Sequence, residues 1–88
     1  MKEVVYMIVN RLGIHARPAA EIAKIASKYD CDVNLLGNNK QANAKSLLMI
    51  MALGIKNGQE VTIAVNGPDE DKAIEALDVL ISNNFYED

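Results

Sequence analysis

The sequence predicts a two-layer α/β sandwich, of the α+β kind, in which helices cover one face of a four-stranded, largely antiparallel sheet and water covers the other. Three observations lead there. Four short stretches alternate apolar and polar side chains, so each has one face to hide. Three helical segments are interleaved with them in the order β-α-β-β-α-β-α, and helices on a single face satisfy that pattern. The chain has 88 residues, 50% of them hydrophobic, enough for one core and no separate substrate domain.

The elements follow in order. Glu3–Asn10, "EVVYMIVN", is rich in β-branched residues and reads as the first strand. "LGIH" then turns the chain into a helix over about residues 16 to 28, with Ala19, Ile22, Ala23 and Ala26 at helical spacing. Cys31, Val33 and Leu35 alternate in a second, half-buried strand; "GNNK" is a tight hairpin turn, and "QANA" the short strand after it. Ser46 is placed to cap a short helix through "LLMIMAL", with Gly54 as its stop. Val61, Ile63 and Val65 face one way in the fourth strand, and Glu60, Thr62 and Ala64 the other. The longest helix runs through "PDEDKAIEALDVLISNNF", opened by proline and acids, with Ala73, Ile74, Leu77, Leu80 and Ile81 as its apolar stripe. No linker divides the chain, so residues 1–88 are expected to form a single domain. Periodicity does not give the strand order.

Composition narrows the function. A single cysteine, Cys31, excludes an internal disulfide, and with one histidine in the chain a Cys/His zinc cluster cannot be assembled. Cys31 is expected in the core, and an intracellular location follows as the default. The N-terminus does not read as an export signal, and no stretch approaches the roughly 20 apolar residues of a membrane span. The net charge of −3, with no basic run interleaved with aromatics, argues against a general nucleic-acid binder. The charge is segregated: Arg11, Arg17, Lys24, Lys28, Lys40 and Lys45 lie in the first half, while "GPDEDKAIEALD" and "FYED" load the second with acid. Such segregation favours docking one face onto an acidic protein partner.

His15 stands where the first helix begins, after the sharp turn that Gly13 allows and before Pro18, whose missing N–H costs nothing in a first turn. The first backbone N–H groups of a helix make a natural phosphate or carboxylate site, so the amides of Ala16 and Arg17 can serve an anion carried on the imidazole. The Arg17 guanidinium can add a charge-assisted contact. No carboxylate or serine in the same motif completes a hydrolytic relay. Two readings remain at this level: a group that accepts a phosphoryl and hands it on, or a solvated capping histidine beside a surface arginine.

"GIHARPAA" followed by "ASKY", "NAKSLLMIMALGIKNG" and "VTIAVNGPDEDKAIEAL" resembles the HPr family, the histidine-containing phosphocarriers of the bacterial sugar phosphotransferase system, over essentially the whole chain. The resemblance implies an open-faced sandwich of strand order 1-4-2-3 and a cytoplasmic carrier protein, not an enzyme, with no cofactor or metal. It also implies that His15 takes a phosphoryl group on Nδ1 from a phosphoenolpyruvate-dependent enzyme I and passes it to the IIA component of a sugar permease, with Arg17 as phosphate partner. Ser46 matches the serine that, in many members, an ATP-dependent HPr kinase/phosphorylase modifies to make a corepressor for carbon catabolite control. Where such members commonly read Lys-Ser-Ile-Met-Gly, this chain has Leu47, Leu48 and Met49 after the serine.

A short helix cannot bury all of "LLMIMAL". Leu48 or Ile50 is expected to complete the core. Leu47 and Met51 are expected outside, ringed by Arg17, Lys24 and Lys45, in an apolar patch that the family places beside the active histidine. The docking residues assigned on this basis are Leu47, Leu48, Met51, Lys24 and Lys45, on a monomer with no direct nucleic-acid contact and no membrane insertion. A regulatory or adaptor protein of the same fold usually lacks the histidine that this chain keeps. A carrier in a nitrogen-related phosphotransfer branch would keep it too.

Overall fold

Alternation and helical periodicity both survive in the computed structural model, which describes residues 1–86. Glu87 and Asp88, part of the acidic "FYED" segment, lie outside the described residues. The elements are β1 (Lys2–Met7), α1 (Ala16–Ala26), β2 (Asp32–Gly37), β3 (Lys40–Asn43), α2 (Leu47–Ala52), β4 (Glu60–Asn66) and α3 (Glu70–Ser82). A single turn over Asn84–Tyr86 follows α3.

The four strands form one sheet in the order β1-β4-β2-β3, every neighbouring pair antiparallel. This is the 1-4-2-3 order implied by the resemblance. One register row shows the logic of the sequence: Val4 faces Ile63, Ile63 faces Leu35, and Leu35 faces Ala42. Three of the four are fully buried and Val4 is half-buried. The next row, Val5–Thr62–Leu36–Gln41, points to the opposite face. Val5, Leu36 and Gln41 there are exposed, so the sheet is open on one side.

The helices close the other side. Ala19, Ile22 and Ala26 of α1, Ile50 of α2, and Ala73, Leu77, Leu80 and Ile81 of α3 meet the sheet's apolar face in one core. The alanines at 0% exposure on α1 and α3 let backbones approach closely. Cys31 joins this core, where burial pushes its thiol pKa up.

The hairpin turn is made by Asn38 and Asn39 at φ 52° and 62°, the two left-handed residues of a turn whose twist suits flanking strands. Asparagine tolerates that conformation better than most side chains. The last helix stops earlier than its sequence run suggests. Asn83 Nδ2 donates to the Val79 carbonyl (2.7 Å), Asn84 and Phe85 adopt positive φ, and Phe85 folds back into the core. Burial of one aromatic ring outweighs another half-turn of helix. β1 likewise ends at Met7, short of the expected Asn10, whose side chain instead bonds the backbone of the turn that follows.

Candidate functional site

The site begins with a loop that local polar chemistry holds in shape. Asn10 is only 2% exposed; its Oδ1 accepts from the Leu12 amide (2.9 Å) and its carbonyl accepts from the Gly13 amide (2.9 Å). Gly13 takes φ +69°, and a Cβ there would fall 2.4 Å from the Ile55 carbonyl oxygen and 2.7 Å from the Lys56 Cα. That approach lets the Ile14 amide donate to the same Ile55 carbonyl at 2.9 Å. Ile14 itself is buried. The next residue is His15, so the backbone of the histidine is fixed from both sides.

His15 is the N-cap residue of α1, in extended conformation (φ −89°, ψ −168°), and its carbonyl accepts the first helical bond, from Ala19 N at 3.0 Å. Its side chain makes no capping hydrogen bond. The half-buried ring stands at the helix start, where the first backbone N–H groups have no partner within the helix. Pro18 is buried and anchors the first turn, and no acidic residue stands in that turn. Arg17 is exposed two residues from the ring. Lys24, seven residues further, lies on the same exposed crest of α1. Among the described residues no group of three His, Cys, Asp or Glu side chains is placed to hold a metal ion. No helix among them is long and apolar enough to cross a membrane.

The second half of the site is α2. Ile50 is its buried residue, so Ile50 and not Leu48 completes the core. Leu48 is 79% exposed, and Leu47 and Met51, one turn apart, are 38% and 40% exposed. Ser46 caps the helix with its Oγ, which accepts from the Met49 amide at 3.3 Å. α2 packs against α1, and the hydrogen bonds at its two ends fix its direction. Its start follows Ala44, bonded to Val33 near the start of β2 and so close to where α1 ends. Its end leads through Gly54 to Ile55, under the loop where α1 begins. The two helices therefore run in opposite senses.

Lys45 departs from the expected ring of Arg17, Lys24 and Lys45. It precedes α2 at the end of the sheet opposite His15, and it lines a cleft with Asp30, Cys31, Asp32 and Asn66. A chain entering an antiparallel helix at the far end, with carboxylates at hand, has no reason to turn its lysine toward a cationic crest. α2 packs against α1, so the exposed Leu47 and Met51 lie on the helix next to the one that carries Arg17 and Lys24. Asn10, which shapes the loop before His15, is not among the residues that the sequence singles out. Asn10 carries one signal: an asparagine between a strand and a glycine turn commonly bonds its own backbone two residues on.

A model of the family described as the PTS HPr component phosphorylation site matches residues 2–83. The chain belongs to the HPr family. Among relatives of HPr type, the phosphocarrier protein HPr of Mycoplasma capricolum subsp. capricolum is 45% identical over 71 residues, covering 81% of this chain and 80% of that protein. The phosphocarrier protein HPr of Treponema pallidum is 41% identical over 81 residues, covering 92% of each. In three dimensions the chain is similar to HPr from Thermoanaerobacter tengcongensis, with a TM-score of 0.94 and 44% identity over 100% of this chain and 99% of that one. HPr proteins are phosphocarriers, and the family expected from the motif around His15 is the family found.

Proposed function

We propose that this protein is a cytoplasmic phosphocarrier that accepts a phosphoryl group on His15 from a phosphoenolpyruvate-dependent enzyme I and passes it to IIA components of sugar permeases. The observation that carries this reading is the placement of His15 at the N-cap of α1, beside the first turn of the helix and Arg17. In the transfer, the Nδ1 lone pair forms the new bond to phosphorus, and the bond to the donor breaks with its electrons returning to the donor. The return step is the same chemistry toward IIA. The helix start and Arg17 hold the dianionic group without hydrolysing it, since no acid or serine in this segment is set to activate water. The protein is then a carried substrate of its partners and not itself a catalyst.

Leu47, Leu48 and Met51 form the apolar centre of the docking surface and Arg17 and Lys24 its cationic rim, suited to an apolar patch with acidic edges on both partners. Ser46 is the regulatory site. Phosphorylation by an HPr kinase adds about −1.5 to −2 charges next to Leu47, so an acidic-rimmed enzyme I is repelled while the same modified face is offered to a catabolite repressor. Incubation with phosphoenolpyruvate and enzyme I tests the first part: one acid-labile phosphate is expected, lost in His15→Ala. Incorporation of phosphate from ATP by an HPr kinase, lost in Ser46→Ala, tests the second. An unmodified protein in either assay refutes that part.

A further inference from the structure

The turn that carries no chemistry of its own is tied to the phosphorylation loop through a chain of hydrogen bonds. Asn38, at the tip of the β2–β3 hairpin, donates from Nδ2 to the carbonyls of Leu53 (2.9 Å) and Gly54 (3.0 Å), which end α2. Its Oδ1 accepts from Gln59 Nε2 (3.0 Å), and Gln59 Oε1 accepts from the Lys56 amide (2.7 Å). The segment from Leu53 to Gln59 is therefore clamped on one side by two side-chain amides. On its other side it presents the Ile55 carbonyl to Ile14 and packs Ile55 and Lys56 against Gly13. It also bonds β1's continuation, since Ile8 N donates to Gln59 O and Gly58 N to Ile8 O.

We infer that Asn38, supported by Gln59, is a positioning residue for phosphoryl transfer: it sets the Leu53–Lys56 segment on which the backbone of Gly13, Ile14 and His15 rests. This rests on the phosphocarrier reading of His15. The physical case is that one amide group satisfies two helix-end carbonyls that have no partner within α2. Without that donor the end of α2 loses its only side-chain ties across to the hairpin among the described residues. The Ile55 carbonyl then holds Ile14 less firmly, and the ring of His15 and the amides of Ala16 and Arg17 lose their common frame. Transfer between two proteins is sensitive to such misplacement.

The position allows a clean test. Asn38→Gly keeps the left-handed turn, because glycine adopts positive φ readily, and deletes only the tether. Asn38→Asp keeps the side-chain shape but turns carboxylate oxygens toward two carbonyls. Both are compared with wild type by thermal melting, by amide hydrogen exchange of Ile14, and by the rate of His15 phosphorylation with enzyme I and phosphoenolpyruvate. The expected result is an Asn38→Gly protein that is folded with similar melting, in which Ile14 exchanges about tenfold faster and phosphorylation is slowed about tenfold. Asn38→Asp should be at least as impaired. Rates and exchange equal to wild type in both variants overturn the inference, as does faster exchange with an unchanged transfer rate. A wild-type protein that takes up no phosphate refutes the phosphocarrier reading and this inference with it; a phosphorylated wild type beside indistinguishable variants refutes this inference alone.

Discussion

Gly13→Ala perturbs the phosphorylation loop at its tightest point. Two costs add there. At φ +69° an L-residue with a Cβ meets its own backbone, worth about 1–2 kcal/mol. The same Cβ meets the Ile55 carbonyl oxygen at 2.4 Å and the Lys56 Cα at 2.7 Å, both backbone atoms that cannot rotate away, and overpacking of this kind costs about 1–3 kcal/mol. The protein supplies its own control in Gly58, at φ +89°, where an added Cβ would meet nothing within 4 Å, so Gly58→Ala carries the conformational cost alone. Urea and thermal unfolding of the two variants separate the terms. Gly13→Ala should be destabilised by about 2–5 kcal/mol, lowering the melting temperature by about 10 °C or more for a domain of this size, and Gly58→Ala by only the conformational part, about 1–2 kcal/mol. The acceptor that must move is the one holding Ile14, so phosphorylation of His15 should slow even where Gly13→Ala remains folded. Equal melting of the two variants would show that the close approach under the loop does not exist.

Other perturbations address single features. Arg17→Ala, at an exposed position, should leave stability within about 0.5 kcal/mol of wild type while slowing phosphoryl transfer in a quenched assay with enzyme I; an unchanged rate removes Arg17 from the site. Ser46→Ala should cost about 0.5–1 kcal/mol through loss of its cap, whereas Ser46→Asp should melt at or above wild type yet accept phosphate more slowly, and an unchanged rate there leaves Ser46 a cap only. Burial, together with the hydrogen bond to Asp78 at 2.8 Å, holds the Tyr6 phenol above its ordinary range. A raised folded-state value means that its contribution is complete below the unfolded phenol's pKa of about 10 and is lost as pH rises beyond it; Tyr6→Phe should flatten the fall in urea stability above that pH, and an identical slope would contradict the contact.

Much of this fold is legible in the sequence because its elements are defined by local repeats. Val61, Ile63 and Val65 announce β4 by alternation, Ala19, Ile22 and Ala26 announce α1 by helical spacing, and the Asn-Asn pair announces the hairpin. Strand order is not periodic information; here it comes from the resemblance carried by the motif around His15. The polar scaffold is not legible. The roles of Asn38 and Gln59 do not show in the sequence because their partners, at Leu53, Gly54 and Lys56, are chosen by how two distant turns meet. Lys45 stands two residues before Leu47 in sequence but lines a cleft at the end of the sheet opposite His15, because nearness along the chain says nothing about which end of an antiparallel helix pair a side chain occupies. The early end of α3 has a related cause, since only the assembled core shows that Phe85 has a place to return to.

Phosphorus NMR of the protein after incubation with phosphoenolpyruvate and enzyme I tests the central claim most directly, because it resolves the atom that carries the phosphate. The account predicts one resonance of an Nδ1-linked phosphohistidine, absent from His15→Ala and discharged when a IIA protein is added. A phosphate attached elsewhere, or one retained in His15→Ala, would contradict it.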